Sequence, residues 1–321
     1  MRRLLVVIGL ALFGTSAVGQ EPKPTFTERF ELGEIRMLYL KDGKDAVDPA
    51  DVDKNGVPDQ VEDTAKQAWA TYHLYCETLG FPDPLKSKRY EGVRWIEITI
   101  WHKDRMDGLN GVAFDEPQRS ANQTDPPGSK AIVAAVGNHF SPIKNASSSH
   151  EVFHLIQYGA TYFKVRWFLE GQARWSEFGL GKGGIGDVKY NPRGPWPHNP
   201  NDPKIVFDRT YDADFVLWYP LAKADDKRGL IPAAKVSKEL KALKYSNGEL
   251  VLRDLELVGA DVMSEILNAL GEADDIAFQK LGYDSWSEDN QRSAKNSPFV
   301  YQAIMDVMRR RKHKVGKYSA N

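Results

Sequence analysis

Apolar residues recur along the chain in two rhythms. In the first half they gather into short β-rich or apolar runs bounded by turn residues, at 35–40, 95–100, 111–114 and 131–136, and these predict strands. Between the first two runs, Val61, Ala65, Ala68, Trp69, Tyr72 and Cys76 fall near helical spacing and predict a helix over 60–79. From residue 147 onward the strand signals fade. Segments 211–223, 233–245, 261–270 and 297–312 read as helices. The stretch 181–210, rich in Gly, Pro and Asn, predicts an irregular binding loop or lid. The expected class is α+β: a small mixed N-terminal sheet with helices, then a mainly helical C-terminal part.

Composition narrows this picture. With 41% hydrophobic and 11% aromatic residues, the 321-residue chain can build a large core as one large or two closely packed domains. The 43 basic and 44 acidic side chains leave a formal net charge of -1, which argues against nucleic acid as a partner. Arg2 and Arg3, the apolar run 4–14 and the small residues Ala17-Val18-Gly19 have the order of a cleavable secretory signal, 1–19. That run is too short to span a bilayer, so a secreted or periplasmic protein with no membrane span after processing is expected. The single cysteine, Cys76, excludes an intramolecular disulfide, so an exported chain needs another brace, such as a metal. The expected layout is an α/β part at 20–146, metal-site helices and a helical part at 147–308, and a basic tail at 309–321.

The most informative residues are His150-Glu151-Val152-Phe153-His154, an H-E-x-x-H run. On a helix, residues four apart share a face, so both imidazoles reach one ion. Zinc prefers such ligands, and in catalytic sites it keeps one position open for water. Glu151 then stands where a carboxylate can take that water's proton. A second amphipathic helix over 167–177 carries Glu170 and Glu177 on one face, and two His plus one Glu is a catalytic zinc set. The His-rich extension of the motif is absent, since Gln157 and Ala160 stand where Gly and His would be needed. Asp187, in Asp187-Val188-Lys189-Tyr190, is a more distant alternative ligand, and His102, His139 and His198 are weaker candidates still.

His150-Glu151-x-x-His154 followed by Trp167-Phe168-Leu169-Glu170-Gly171-x-Ala173-x-x-x-Glu177 resembles the gluzincin metallopeptidases of the peptidase MA superfamily, most closely the aminopeptidase N branch, in a secreted bacterial form. The resemblance implies a zincin-like fold with an edge strand that holds a peptide beside the metal helix. It also implies Glu170 as third zinc ligand and Glu177 as a supporting carboxylate. The segment 209–217 is similar to the family's oxyanion-tyrosine segment, which implies that role for Tyr211. No G-A-M-E-N-like run for gripping a free amino end is present, so an endopeptidase or narrow-specificity peptidase is expected.

A second constellation, Asp51-x-Asp53-x-Asn55-Gly56-Val57-x-Asp59-x-x-Glu62, has the spacing of an EF-hand-like calcium loop, with the Val57 carbonyl at position 7. It runs into the 60–79 helix, but 41–50 before it has no helical pattern. A lone structural Ca²⁺ brace is expected. Altogether the sequence points to a secreted zinc metallopeptidase acting on peptide or protein substrates. The alternatives are a noncatalytic envelope or extracellular binding protein with structural zinc and calcium, or a hydrolase of a non-peptide amide or ester.

Overall fold

The computed structural model describes residues 24–119, 125–181 and 202–313. The expected signal 1–19, Asp187, His198, most of the 181–210 loop and most of the basic tail lie outside them. The class is α+β. One mixed sheet contains β1 (Glu28–Leu32), β2 (Ile35–Tyr39), β3 (Val93–Trp101), β4 (Gly111–Ala113), β5 (Gln118–Arg119) and β6 (Lys130–Gly137). Its order is β1-β2-β3-β6-β4, and β5 also pairs with β6. β2, β3 and β6 run parallel, whereas β1, β4 and β5 are antiparallel to their neighbours. The parallel strands are largely buried on both faces: β6 reads as an apolar run, whereas β2 also buries Arg36 and β3 buries Glu97 and Thr99.

Against the sheet pack α1 (Asp59–Tyr72), which continues as a π-helical turn His73–Thr78, and α2 (Ser147–Ala160). The helical part adds α3 (Arg166–Ser176), α4 (Tyr219–Asp225), α5 (Ala260–Leu281) and α6 (Ser297–Arg310). One hydrophobic core runs from Ile35 in β2 to Met308 in α6, so the two expected parts share their interior. No helix among the described residues is long and apolar enough to cross a membrane.

Several expected boundaries move for physical reasons. The 233–245 helix is broken into Ala233–Lys235 and Lys238–Ala242, because Val236 and Ser237 are extended and the Ser237 hydroxyl accepts the Leu240 N–H. The helix expected over 261–270 runs on to Leu281. Beyond Gly271, Asp274 accepts bonds from the Thr161 hydroxyl (2.7 Å) and the Tyr162 N–H (2.7 Å), and this tertiary anchorage outweighs the glycine's stop signal. Part of the expected irregular loop is ordered: Lys204–Phe207 is helical and Phe207 stacks on Trp167 at 5.6 Å. The 211–223 helix begins later, as a π turn Asp214–Trp218, which leaves Tyr211 ahead of it.

Candidate metal centre

Four fully buried side chains fix α2. Val152, Phe153, Leu155 and Ile156 all have zero exposure, and each contributes about 1.5–3 kcal/mol by leaving water. The three serines that open the helix, Ser147, Ser148 and Ser149, do not cap it. Asn145 takes that part by accepting the Ser147 N–H at 2.7 Å. Ser148 instead donates to Gln67, and Ser149 accepts from Thr71, so both lock α2 onto α1. His150 and His154 then stand one turn apart with ring centroids 4.6 Å apart, and α3 brings Glu170 against them.

The three ligand atoms converge. Glu170 Oε2 lies 3.4 Å from His150 Nε2 and 3.5 Å from His154 Nε2. Among the described residues this is the one group of three or more His, Cys, Asp or Glu that can hold a metal ion, with all ligand atoms within 4.8 Å of one another. Ligands about 2.0–2.1 Å from a tetrahedral zinc stand roughly 3.4 Å apart, so the observed spacing fits. Glu170 Oε2 is buried without a hydrogen-bond partner, as is Glu151 Oε2. A buried oxygen left unpaired costs about 1–3 kcal/mol, which a cation at this position would relieve.

Other side chains set the imidazole orientations. His150 Nδ1 bonds Glu177 Oε1 at 2.8 Å, and Arg174 donates to the other oxygen of Glu177 at 2.5 Å. His154 Nδ1 bonds Gln157 Oε1 at 2.8 Å. The Gln157 amide in turn donates to the Leu169 carbonyl and Gln172 Oε1, both at 3.1 Å. Each ring is thus held from behind with Nε2 forward, the arrangement by which outer partners orient metal-binding histidines.

The electrostatics favour positive charge here. Burial works against a charged His150, yet the adjacent carboxylates of Glu170 and Glu177 push it up to about 10. Burial likewise opposes ionisation of Glu170, but the two imidazoles hold its carboxyl well below the usual carboxylate range. Glu151 is pushed up by burial. Tyr211 is pushed up to about 12, by burial first and then by Glu170 and Glu151, so its hydroxyl remains a donor at neutral pH.

No family model, curated protein or solved structure matches this chain. The reading therefore rests on the residues themselves.

The cleft beside the ligands, about 460 Å³, is lined by Leu109, Asn110 and Gly111 at the start of β4, by Asn145, by Arg174 and by Tyr211, together with His150, Glu151 and Glu177. Among the described residues β4 pairs only with β6, which makes it an edge strand beside α2. A Cβ built on Gly111 would stand 2.6 Å from Glu151 Oε1, which is why no side chain fits there. Gly171, next to Glu170, serves in the same way: a Cβ there would meet Ala213 Cβ at 2.7 Å and Trp218 Cδ1 at 2.7 Å. That close approach carries Tyr211 to the cleft, with its ring 6.0 Å from that of His150.

The Asp51–Glu62 loop is closed by its own hydrogen bonds. Asp51 accepts the Asn55 and Gly56 N–H groups, Asp59 accepts that of Val52, and Asn55 donates to Asp53 and Glu62. The Val57 N–H is taken by Asn55. No three of its carboxylates gather into one metal-holding group among the described residues. His139 bonds Asn110 at 3.2 Å and His102 accepts the Asp104 N–H at 3.3 Å; both serve local structure. Cys76 is half-buried with its thiol near the Pro82 carbonyl.

Sequence reasoning overlooked Gln157 as a functional residue, although its place three residues after His154 on one helix face was a readable signal. It also overlooked Arg174, four residues after Glu170. Gly111 and Asn110 had no such signal, because their place beside α2 depends on pairing with a strand about 25 residues away.

Proposed function

We propose that this chain is a zinc-dependent hydrolase of peptide bonds, built on the H-E-x-x-H…E plan of the gluzincins in a zincin-like fold. The observation that carries the proposal is the convergence of two Nε2 atoms and a buried, unpartnered carboxylate oxygen next to Glu151 and an open cleft.

A zinc ion held by His150, His154 and Glu170 supplies a Lewis acid that acidifies water and polarises a carbonyl. The chain's own groups do the rest. Glu177 and Gln157 keep the imidazoles facing the ion. Glu151 takes a proton from the attacking water as the new C–O bond forms. It then delivers that proton to the amine nitrogen as the C–N bond breaks. The Tyr211 hydroxyl donates to the carbonyl oxygen as negative charge develops there. The unpaired edge of β4 offers main-chain groups to an extended substrate, which favours a peptide over an isolated amide or ester. A purely structural zinc would call for a fourth protein ligand, and only three gather among the described residues.

The test is Glu151→Gln, assayed for zinc stoichiometry and for cleavage of casein and a peptide library. The expected result is full zinc with hydrolysis abolished. Zinc retained with undiminished cleavage refutes the assigned base, and a wild-type protein that binds one zinc but hydrolyses nothing refutes the hydrolase reading.

A further inference from the structure

The cleft is chemically lopsided. Among the described residues its side chains are mostly polar, the exceptions being Ala146 and the half-exposed Leu109 and Tyr211 (50% and 44%), and Arg174 is the one Lys or Arg in it. Arg174 sits on α3 one turn beyond Glu170, with 36% of its side chain exposed. Its bond to Glu177 engages one terminal nitrogen of a guanidinium that carries five N–H donors in a planar fork. Glu177 has both oxygens occupied, one by His150 and one by Arg174, so it has little capacity left for a substrate cation. Asn110 and Asn145 add amide groups on the facing wall.

Resting on the hydrolase reading above, we infer that Arg174 binds a carboxylate of the substrate beside the His150 side of the metal group, so that the favoured substrates are acidic peptides. A carboxylate matches the fork of an arginine, and charge-assisted hydrogen bonds of this kind are the strong ones. The same chemistry is offered by a Glu or Asp side chain near the cut bond and by a free C-terminus.

The experiment uses the zinc-loaded full chain and peptides that differ only by Glu against Gln at each position around the cut, each made with a free and an amidated C-terminus. At one position kcat/KM is expected to be about 10- to 100-fold higher for Glu than for Gln. Preference that survives amidation assigns the ligand to a side chain; preference seen only with free acids assigns it to the C-terminus. Arg174→Gln is expected to bring the Glu/Gln ratio close to one, and Arg174→Lys to keep part of it. Equal cleavage of Glu and Gln peptides by the wild type overturns the inference and leaves the hydrolase reading intact. So does an Arg174→Gln variant that slows both peptides equally, since that marks a role exercised only through Glu177. If no peptide is cleaved at all, the hydrolase reading fails. The carboxylate site is then judged by calorimetry with N-acetylglutamate against N-acetylglutamine: binding of the acid alone, lost in Arg174→Gln, supports it, and no difference refutes it.

Discussion

Replacing Gly111 with alanine sets a methyl group against the side chain proposed to move the proton. The new Cβ would lie 2.6 Å from Glu151 Oε1, 2.7 Å from Cγ and 2.9 Å from Cδ. Ordinary carbon contacts begin near 3.5 Å, so either Glu151 or the edge strand must give by about 0.8 Å. Neither moves freely: Glu151 is 5% exposed, and Gly111 is held in register opposite Val136 of β6. A misplacement of about 1 Å in a reacting group costs on the order of 100-fold in rate, or about 2.7 kcal/mol of barrier. The expected result for Gly111→Ala is therefore a fall in kcat of about 30- to 100-fold. Zinc content should not change, since the three atoms nearest the methyl group all belong to Glu151. Steady-state kinetics on a cleaved peptide, metal analysis and a melting curve measure all three quantities. Wild-type kcat with full zinc would mean that β4 and Glu151 are not in contact in the working protein.

Glu170→Ala should lower zinc stoichiometry below one per chain, while Glu177→Gln should keep the ligand set and weaken zinc affinity by about 10- to 100-fold, both read by chelator competition. Tyr211→Phe should lower kcat by about 100- to 1000-fold with little change in zinc content, and an unaltered rate removes Tyr211 from the reaction. Asp274 tests the electrostatics of the fold. Burial pushes its carboxyl up to about 6 from an ordinary 3.8, so the folded state binds a proton that the unfolded state releases between those values. Its contribution to stability is thus complete below pH 4 and is lost as pH rises through 6. Asp274→Asn keeps an acceptor oxygen without the charge. In urea denaturation it should be more stable than the wild type at pH 7, by up to about 3 kcal/mol, with the gap closing near pH 4. An equal gap at both pH values refutes this account.

The cluster of His150, His154 and Glu170 that could hold a metal was legible because each signal is local. The i,i+4 spacing of His150 and His154 and the apolar faces of two helices fix which side chains point together, whatever the remaining chain does. The runs at 35–40, 95–100 and 131–136 were legible for a similar reason, since strands buried on both faces are mostly apolar or β-branched even where Arg36 and Glu97 interrupt them. β1 was not, because Glu28–Leu32 is half-exposed and is defined by its turn back onto β2. Tyr211 reaches the cleft through the Gly171 contact, a matter of tertiary approach that no spacing along the chain encodes. The Asp51–Glu62 spacing is less specific: the same acceptors that could face an ion also take the loop's own N–H groups.

The clasp of Gln157 on the Leu169 carbonyl and Gln172 joins α2 to α3 without using a single ligand atom. If the chain takes up zinc as proposed, capture would be docking into a finished receptacle, unlike a zinc finger, where metal uptake and chain collapse are one event. Chelation should leave circular dichroism unaltered, and rebinding should proceed with a heat-capacity change near zero. Whatever thermal protection zinc confers will then follow its free concentration alone, as mass action requires.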